Sequence, residues 1–248
     1  MNRLQSELHR LYLPRSQAHL EIDAQSPAPI DPQGATVRAM VMELARPASW
    51  ELLSRVWRGV QTELELPSPG IAVSGVDGLQ LWFSLAEPIE ASQAQTFLES
   101  LRARFLPDID SRRIRLMPAA DASALHPERQ ARLVPALQEQ TGNWSAFVAA
   151  DLAPIFADTP WLDIAPNEEG QATLLAALHT INPAAFDEAL KRLGPVTPNI
   201  DAPLAQPLPV ATAASEDPKR FLLRVMNDET VALALRIEAA KALLQQGG

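Results

Sequence analysis

Apolar residues recur along this chain in helical rhythm in some stretches and in strict alternation in others. Leu4, Leu8, Leu11 and Tyr12 keep helical spacing and stop at Pro14, which predicts a short N-terminal helix. Residues 15–35 carry Pro27, Pro29 and Pro32 among polar groups and read as an irregular connection. ATVRAMVMEL then alternates and is rich in valine and methionine, predicting a strand that ends near Glu43. Pro47 and Ser49 open a helix with Ser49 as N-cap, and Leu53, Val56, Trp57, Val60 and Leu64 form its buried stripe. Pro67, Pro69 and Gly70 end it. Two strands follow, at 71–73 and 79–85, around the turn SGVDG. Ser92 is placed to cap the next helix, whose apolar face is Phe97, Leu98, Leu101 and Phe105. SRRIRLMP alternates basic and apolar residues, a short strand with Arg113 and Arg115 on one side.

This order predicts an α+β fold with helices on one face of an antiparallel or mixed sheet, spanning residues 1–118. Residues 119–194 read as a helical and loop-rich extension. WSAFVAADLAPIF, EEGQATLLAALHTI and PAAFDEALKRLG are its helical segments, the last two joined near Asn182-Pro183. Pro195, Pro198, Pro203, Pro207 and Pro209 then crowd into a stretch of alanine and small polar residues, so 195–216 reads as an extended linker. Residues 217–248 form a predicted helical hairpin, with Asp217 as N-cap, Pro218 at the first helical position and a turn at Asn227-Asp228. Its apolar stripe of Leu233, Ile237, Ala240 and Leu244 is too small to be stable alone, which implies docking on a protein partner.

Composition narrows the chemistry. With no cysteine among 248 residues, disulfides and thiolate metal sites are excluded, and the four histidines stand singly without helical zinc spacing. A metal would have to be held by carboxylates. Arg3, Glu7, His9 and Arg10 rule out a secretory apolar segment at the first helix, and no apolar run reaches membrane-spanning length, so a cytoplasmic protein without a membrane is expected. A net charge of −9 argues against non-specific nucleic-acid binding over the whole surface, but not against a local basic groove. Arg102, Arg104, Arg112, Arg113 and Arg115 are the densest basic cluster, fit either for phosphate contact or as a solvated edge that discourages strand aggregation.

The strongest motif is SGVDGLQLWFSL at 74–85, two glycines three apart between strands. Such a turn serves hairpin geometry anywhere, and it can also present backbone amides to an anion. In its context, a strand ending at Glu43, then a helix, then this turn 31 positions on, it resembles the core of the archaeo-eukaryotic primase-polymerase superfamily. The closest likeness is to the polymerase domain found with bacterial end-joining DNA ligases. The resemblance covers roughly residues 36–118. It implies a strand bearing an Asp-x-Asp metal motif and a Ser-Gly-x-x-Gly-x-His turn that contacts nucleotide phosphates. Carried over residue by residue, Ser74, Gly75, Gly78 and Gln80 would be the phosphate-binding turn. Glu43 and Ala45 would stand at the metal positions.

The departures fall on the chemistry. Gln80 occupies the histidine position, Ala45 stands where an acid belongs, and the third carboxylate has only Asp121 as a loose match. Two-metal nucleotidyl transfer needs several convergent carboxylates, so the resemblance implies a degenerate relative. Such a protein needs no cofactor and binds nucleotide or nucleic acid as an accessory in bacterial replication, repair or mobile-element maintenance. Arg113 and Arg115 would add phosphate contacts, and Trp82, on the same strand face as Gln80, would either stack a base or pack in the core. An active nucleotidyltransferase using Mg²⁺ or Mn²⁺ on Glu43 with Asp77 or Asp121 is the alternative. A non-catalytic interaction scaffold is another. The segment 217–248 also resembles tail segments of phage terminase small-subunit-like and mobile-element proteins, which implies an interaction or oligomerisation helix pair.

Overall fold

The computed structural model describes residues 2–14, 36–119 and 131–194, all within the compact unit Met1–Thr197. Asp121, the linker 195–216 and the hairpin 217–248 lie outside the described residues. The elements run α1 (Arg3–Leu11), β1 (Thr36–Ala45), α2 (Trp50–Thr62), β2 (Gly70–Val73), β3 (Gly78–Glu90) and α3 (Ala91–Phe105). They continue with β4 (Ile114–Met117), β5 (Ala146–Val148), α4 (Glu168–Ala176) and α5 (Pro183–Leu193). The five strands form one sheet in the order β4-β1-β3-β2-β5, and every strand pairing is antiparallel.

Strand alternation divides the core in two. Met40, Met42 and Leu44 of β1 with Leu79, Leu81 and Phe83 of β3 face α2, α3 and α5. Val41, Trp82, Ala72 and Phe147 face the other way and meet Leu4, Leu8, Leu11 and Tyr12 of α1 and Leu175 of α4. Helices therefore cover both faces of the sheet, not one as the order of elements predicts. The reason is that β1 and β3 are apolar on both sides, with nine of the ten β1 positions buried. A strand of that kind needs a cover on each face.

Segment 144–156 is not the helix its apolar spacing predicts. Ala146–Val148 is a strand beside β2, and Ala153–Phe156 is a single 3-10 turn. Pro154 lacks the amide a longer helix would use, whereas β2 offers Ala146–Val148 a full antiparallel partner. Gln171 of α4 seals the outer edge of that strand, donating from Nε2 to the Phe147 carbonyl at 2.9 Å and accepting from the Phe147 amide at 2.7 Å. The extension after residue 119 thus supplies the fifth strand as well as α4 and α5.

Smaller departures fall at the ends of elements. Helix α3 begins one residue before Ser92, after Glu90, with no side-chain cap bond. Ser111–Arg113 is a 3-10 turn capped by Asp110, so β4 starts only at Ile114. The predicted cap Ser49 does accept the Leu52 amide, and Asn182, at the predicted junction of two helices, caps α5 by accepting that of Ala185.

Between Val37 and Ala39 the β1–β3 register slips, and Arg38 fills the irregularity. Its buried guanidinium donates to the carbonyls of Leu85, Leu13 and Arg10 at 3.1, 2.7 and 2.9 Å. It thereby ties the end of α1 to the sheet.

Candidate functional site

One row of cross-strand neighbours builds the site. Arg115 on β4 lies opposite Glu43 on β1, and Glu43 lies opposite Gln80 on β3. Direct cross-strand partners share a face, and this row sits on the α1–α4 side of the sheet, in line with Ala72 and Phe147. A cleft of about 280 Å³ opens over Arg115, Glu43, Gln80 and Ser74. Val76, Met117, Leu133 and Val134 give it an apolar wall, and Arg132, Gln138 and Ser145 complete it.

The polar groups of the row form a chain. Trp82 Nε1–H donates to Gln80 Oε1 at 2.8 Å, and Gln80 Nε2 donates to Glu43 Oε2 at 2.7 Å. Arg115 Nη1 donates to Glu43 Oε1 at 2.9 Å. Glu43 is only 3% exposed, and burial pushes its carboxyl above the ordinary glutamate range, against the opposing pull of Gln80 and Arg115. Arg115 Nη2 also lies 3.8 Å from Asp77 Oδ2, which accepts from Arg46 Nε at 2.8 Å. The other oxygen of Asp77, Oδ1, is buried without a hydrogen-bond partner.

The turn at 74–78 explains its own glycines. Gly75 adopts φ 80°, and a Cβ there would come within 2.8 Å of the Ser145 amide nitrogen. A Cβ on Gly78 would fall 2.8 Å from Glu43 Cγ and 2.9 Å from its Oε1. The first glycine admits the 136–145 segment and the second admits the buried glutamate.

Gln80 accepts from Trp82 and donates to Glu43 and is 7% exposed, so within the row it orients Glu43 at the floor of the cleft. Trp82 is 1% exposed, with its ring packed edge-on against Tyr12 and Phe147. It is a core residue, not a base-stacking surface, because α1 covers that part of the face. Nor do the turn amides form an open anion nest. Those of Val76, Asp77 and Gly78 all donate to Ser74 Oγ, and that of Gly75 to the Pro160 carbonyl. Ser74 keeps its own hydroxyl proton, which meets no acceptor among the described residues, and it lines the cleft.

Arg113 parts from Arg115. It donates to the carbonyls of Ala45 and Pro47 at 3.4 and 2.7 Å, closing the end of β1, because the 3-10 turn places it before the strand begins. Arg132, which sequence reasoning did not single out, is exposed on the cleft and makes no ion pair with another described residue. Arg132 follows a mixed polar stretch that matches no motif and carries no local signal of its own; only the packing of 131–145 against the Ser74 turn brings it here.

The donor set does not fit a two-metal centre. Ala45 is a buried apolar residue, both Glu43 oxygens hold hydrogen bonds, and the Arg115 guanidinium stands where a cation would approach. Among the described residues, no group of three or more histidines or carboxylates is placed to hold an ion. No described helix is long and apolar enough to cross a membrane. Searches of protein-family models and of curated proteins with this sequence find no match.

Proposed function

We propose that this is a primase-polymerase-like protein that has lost metal-dependent nucleotidyl transfer. Its cleft binds nucleotide or nucleic acid, in an accessory role in bacterial replication, repair or mobile-element maintenance. The observation that carries the reading is the convergence of Arg115, Arg132 and Ser74 on one cleft with an apolar wall. Guanidinium groups and a hydroxyl donor suit phosphate oxygens, and the apolar wall suits a base or sugar. The order strand, helix, turn and strand, with the Ser74 turn folded against the end of β1, supports the ancestry. Arg115 in ion pair with Glu43 supports the loss of chemistry, since it fills the space a metal ion needs.

The test is a titration of labelled single-stranded DNA and of nucleotides across salt concentration. Affinity is expected to fall with salt, and Arg115→Ala with Arg132→Ala to weaken binding about tenfold and flatten the salt slope by about one to two. Arg113→Ala, which loses only backbone contacts at the β1 end, is expected to leave binding unchanged. Absence of any binding at low salt overturns the reading, and primer extension in manganese overturns the loss of catalysis.

A further inference from the structure

The charges that meet at the cleft nearly cancel. The electrostatic neighbours of Glu43 are Arg115, Asp77 and Arg46, and Arg132 adds a cation to the cleft lining. Three guanidinium groups against two carboxylates leave one net positive charge. Both carboxylates are ion-paired, but water screens Glu43 little, since it is 3% exposed, and Asp77 Oδ1 is buried without a donor. Charges in such a setting act through a lower effective dielectric than water and reach across several ångströms.

A phosphate monoester carries about two negative charges above neutral pH. Each further phosphoryl group adds negative charge that the cleft has no cation left to meet. A long phosphate chain would also have to run past Glu43, which lines the cleft. The cleft, at about 280 Å³, sits at the small end of ligand sites. Its apolar wall of Met117, Leu133 and Val134 leaves room for one base or sugar beside the arginines. Resting on the reading above, we infer that the cleft takes one nucleotide unit bearing a single phosphate and discriminates against nucleoside triphosphates. Arg115 and Arg132 hold the phosphate, Ser74 donates to it, and Glu43, with the charge of Asp77 beside Arg115, repels a polyphosphate tail.

The experiment is calorimetric titration of the full chain with AMP, ATP, adenosine, inorganic phosphate and single-stranded DNA, at pH 8 and fixed ionic strength with chelator present. AMP is expected to bind about tenfold tighter than ATP and more tightly than adenosine or phosphate. ATP binding as tightly as AMP overturns the inference. Phosphate binding as tightly as AMP also overturns it, reducing the cleft to a simple anion site. Binding of DNA or ATP without AMP leaves the nucleotide reading standing and removes this one; binding of no probe removes both. Glu43→Gln, which deletes a repelling charge, is expected to shrink the preference for AMP over ATP. Arg132→Glu, a change on the surface that spares the core, is expected to widen it. A ratio unmoved by Arg132→Glu overturns the charge argument even where the Glu43 variant does not fold.

Discussion

Glu43 keeps its carboxylate under the sheet surface with one arginine and one amide as partners, and its burial has a consequence for pH. Because burial holds its folded pKa above the unfolded value, the folded state binds the proton more tightly than the unfolded chain does. The stabilisation linked to that proton is complete below the unfolded value, about 4.3, and is lost as pH rises through the higher folded one. Glu43→Gln cannot ionise. Urea denaturation of both proteins at pH 4, 6 and 8 should therefore show the variant gaining on the parent as pH rises. A constant difference across that range would show that Glu43 titrates alike in both states. The residue itself was legible as the last polar position of a predicted strand. Its role was not, because Gln80 and Arg115 are 37 and 72 positions away and only strand register brings them to it.

At the scale of elements, the turn between β2 and β3 is more a joint than a holder. Ser74 Oγ gathers three amides, Gly75 passes its N–H to Pro160, and the 136–145 segment presses against the bare α-carbon of Gly75. Gly75→Ala combines a left-handed φ with a backbone clash, and is expected to destabilise by about 2–3 kcal/mol in denaturant titration. Loss of ligand affinity should accompany it, since the displaced segment carries Gln138 and Ser145 into the cleft wall. A change below about 0.5 kcal/mol would mean that the segment yields without strain. The glycine spacing was visible along the chain, but the backbone that demands it comes from a part of the sequence read there as helix.

For the molecule as a whole, the buried Arg38 acts as a polar anchor within the core. It joins the end of α1 to the irregularity in the β1–β3 pairing through several carbonyls, and Ser84 adds a hydrogen bond from its hydroxyl to the Leu11 carbonyl at 2.6 Å. Replacing it by methionine keeps the apolar stem but strands those carbonyls, at an expected loss of about 2–4 kcal/mol. Hydrogen exchange should show the loss first in α1, whose docking face includes Leu4, Leu8 and Leu11. Protection in α1 equal to that of the parent would assign the anchoring to apolar packing alone. Since α1 and α4 close one side of the sheet, its release would also uncover Trp82 and loosen the chain of hydrogen bonds to Glu43.

What the sequence determined alone is local. Period and punctuation set α1, β1, α2, the β2–turn–β3 unit and α5, because apolar spacing, Ser49, Asn182 and the prolines act within a turn or two of themselves. The polar row Arg115–Glu43–Gln80 was legible as residues of interest, and Arg132 was not. Only the tertiary structure decided that 146–148 is an edge strand, that both faces of the sheet are covered, and that Trp82 is core. The physical reason is one of range. Hydrogen-bond partners for an edge strand and covers for a two-sided apolar strand come from distant chain, and a local pattern cannot say which segment will arrive.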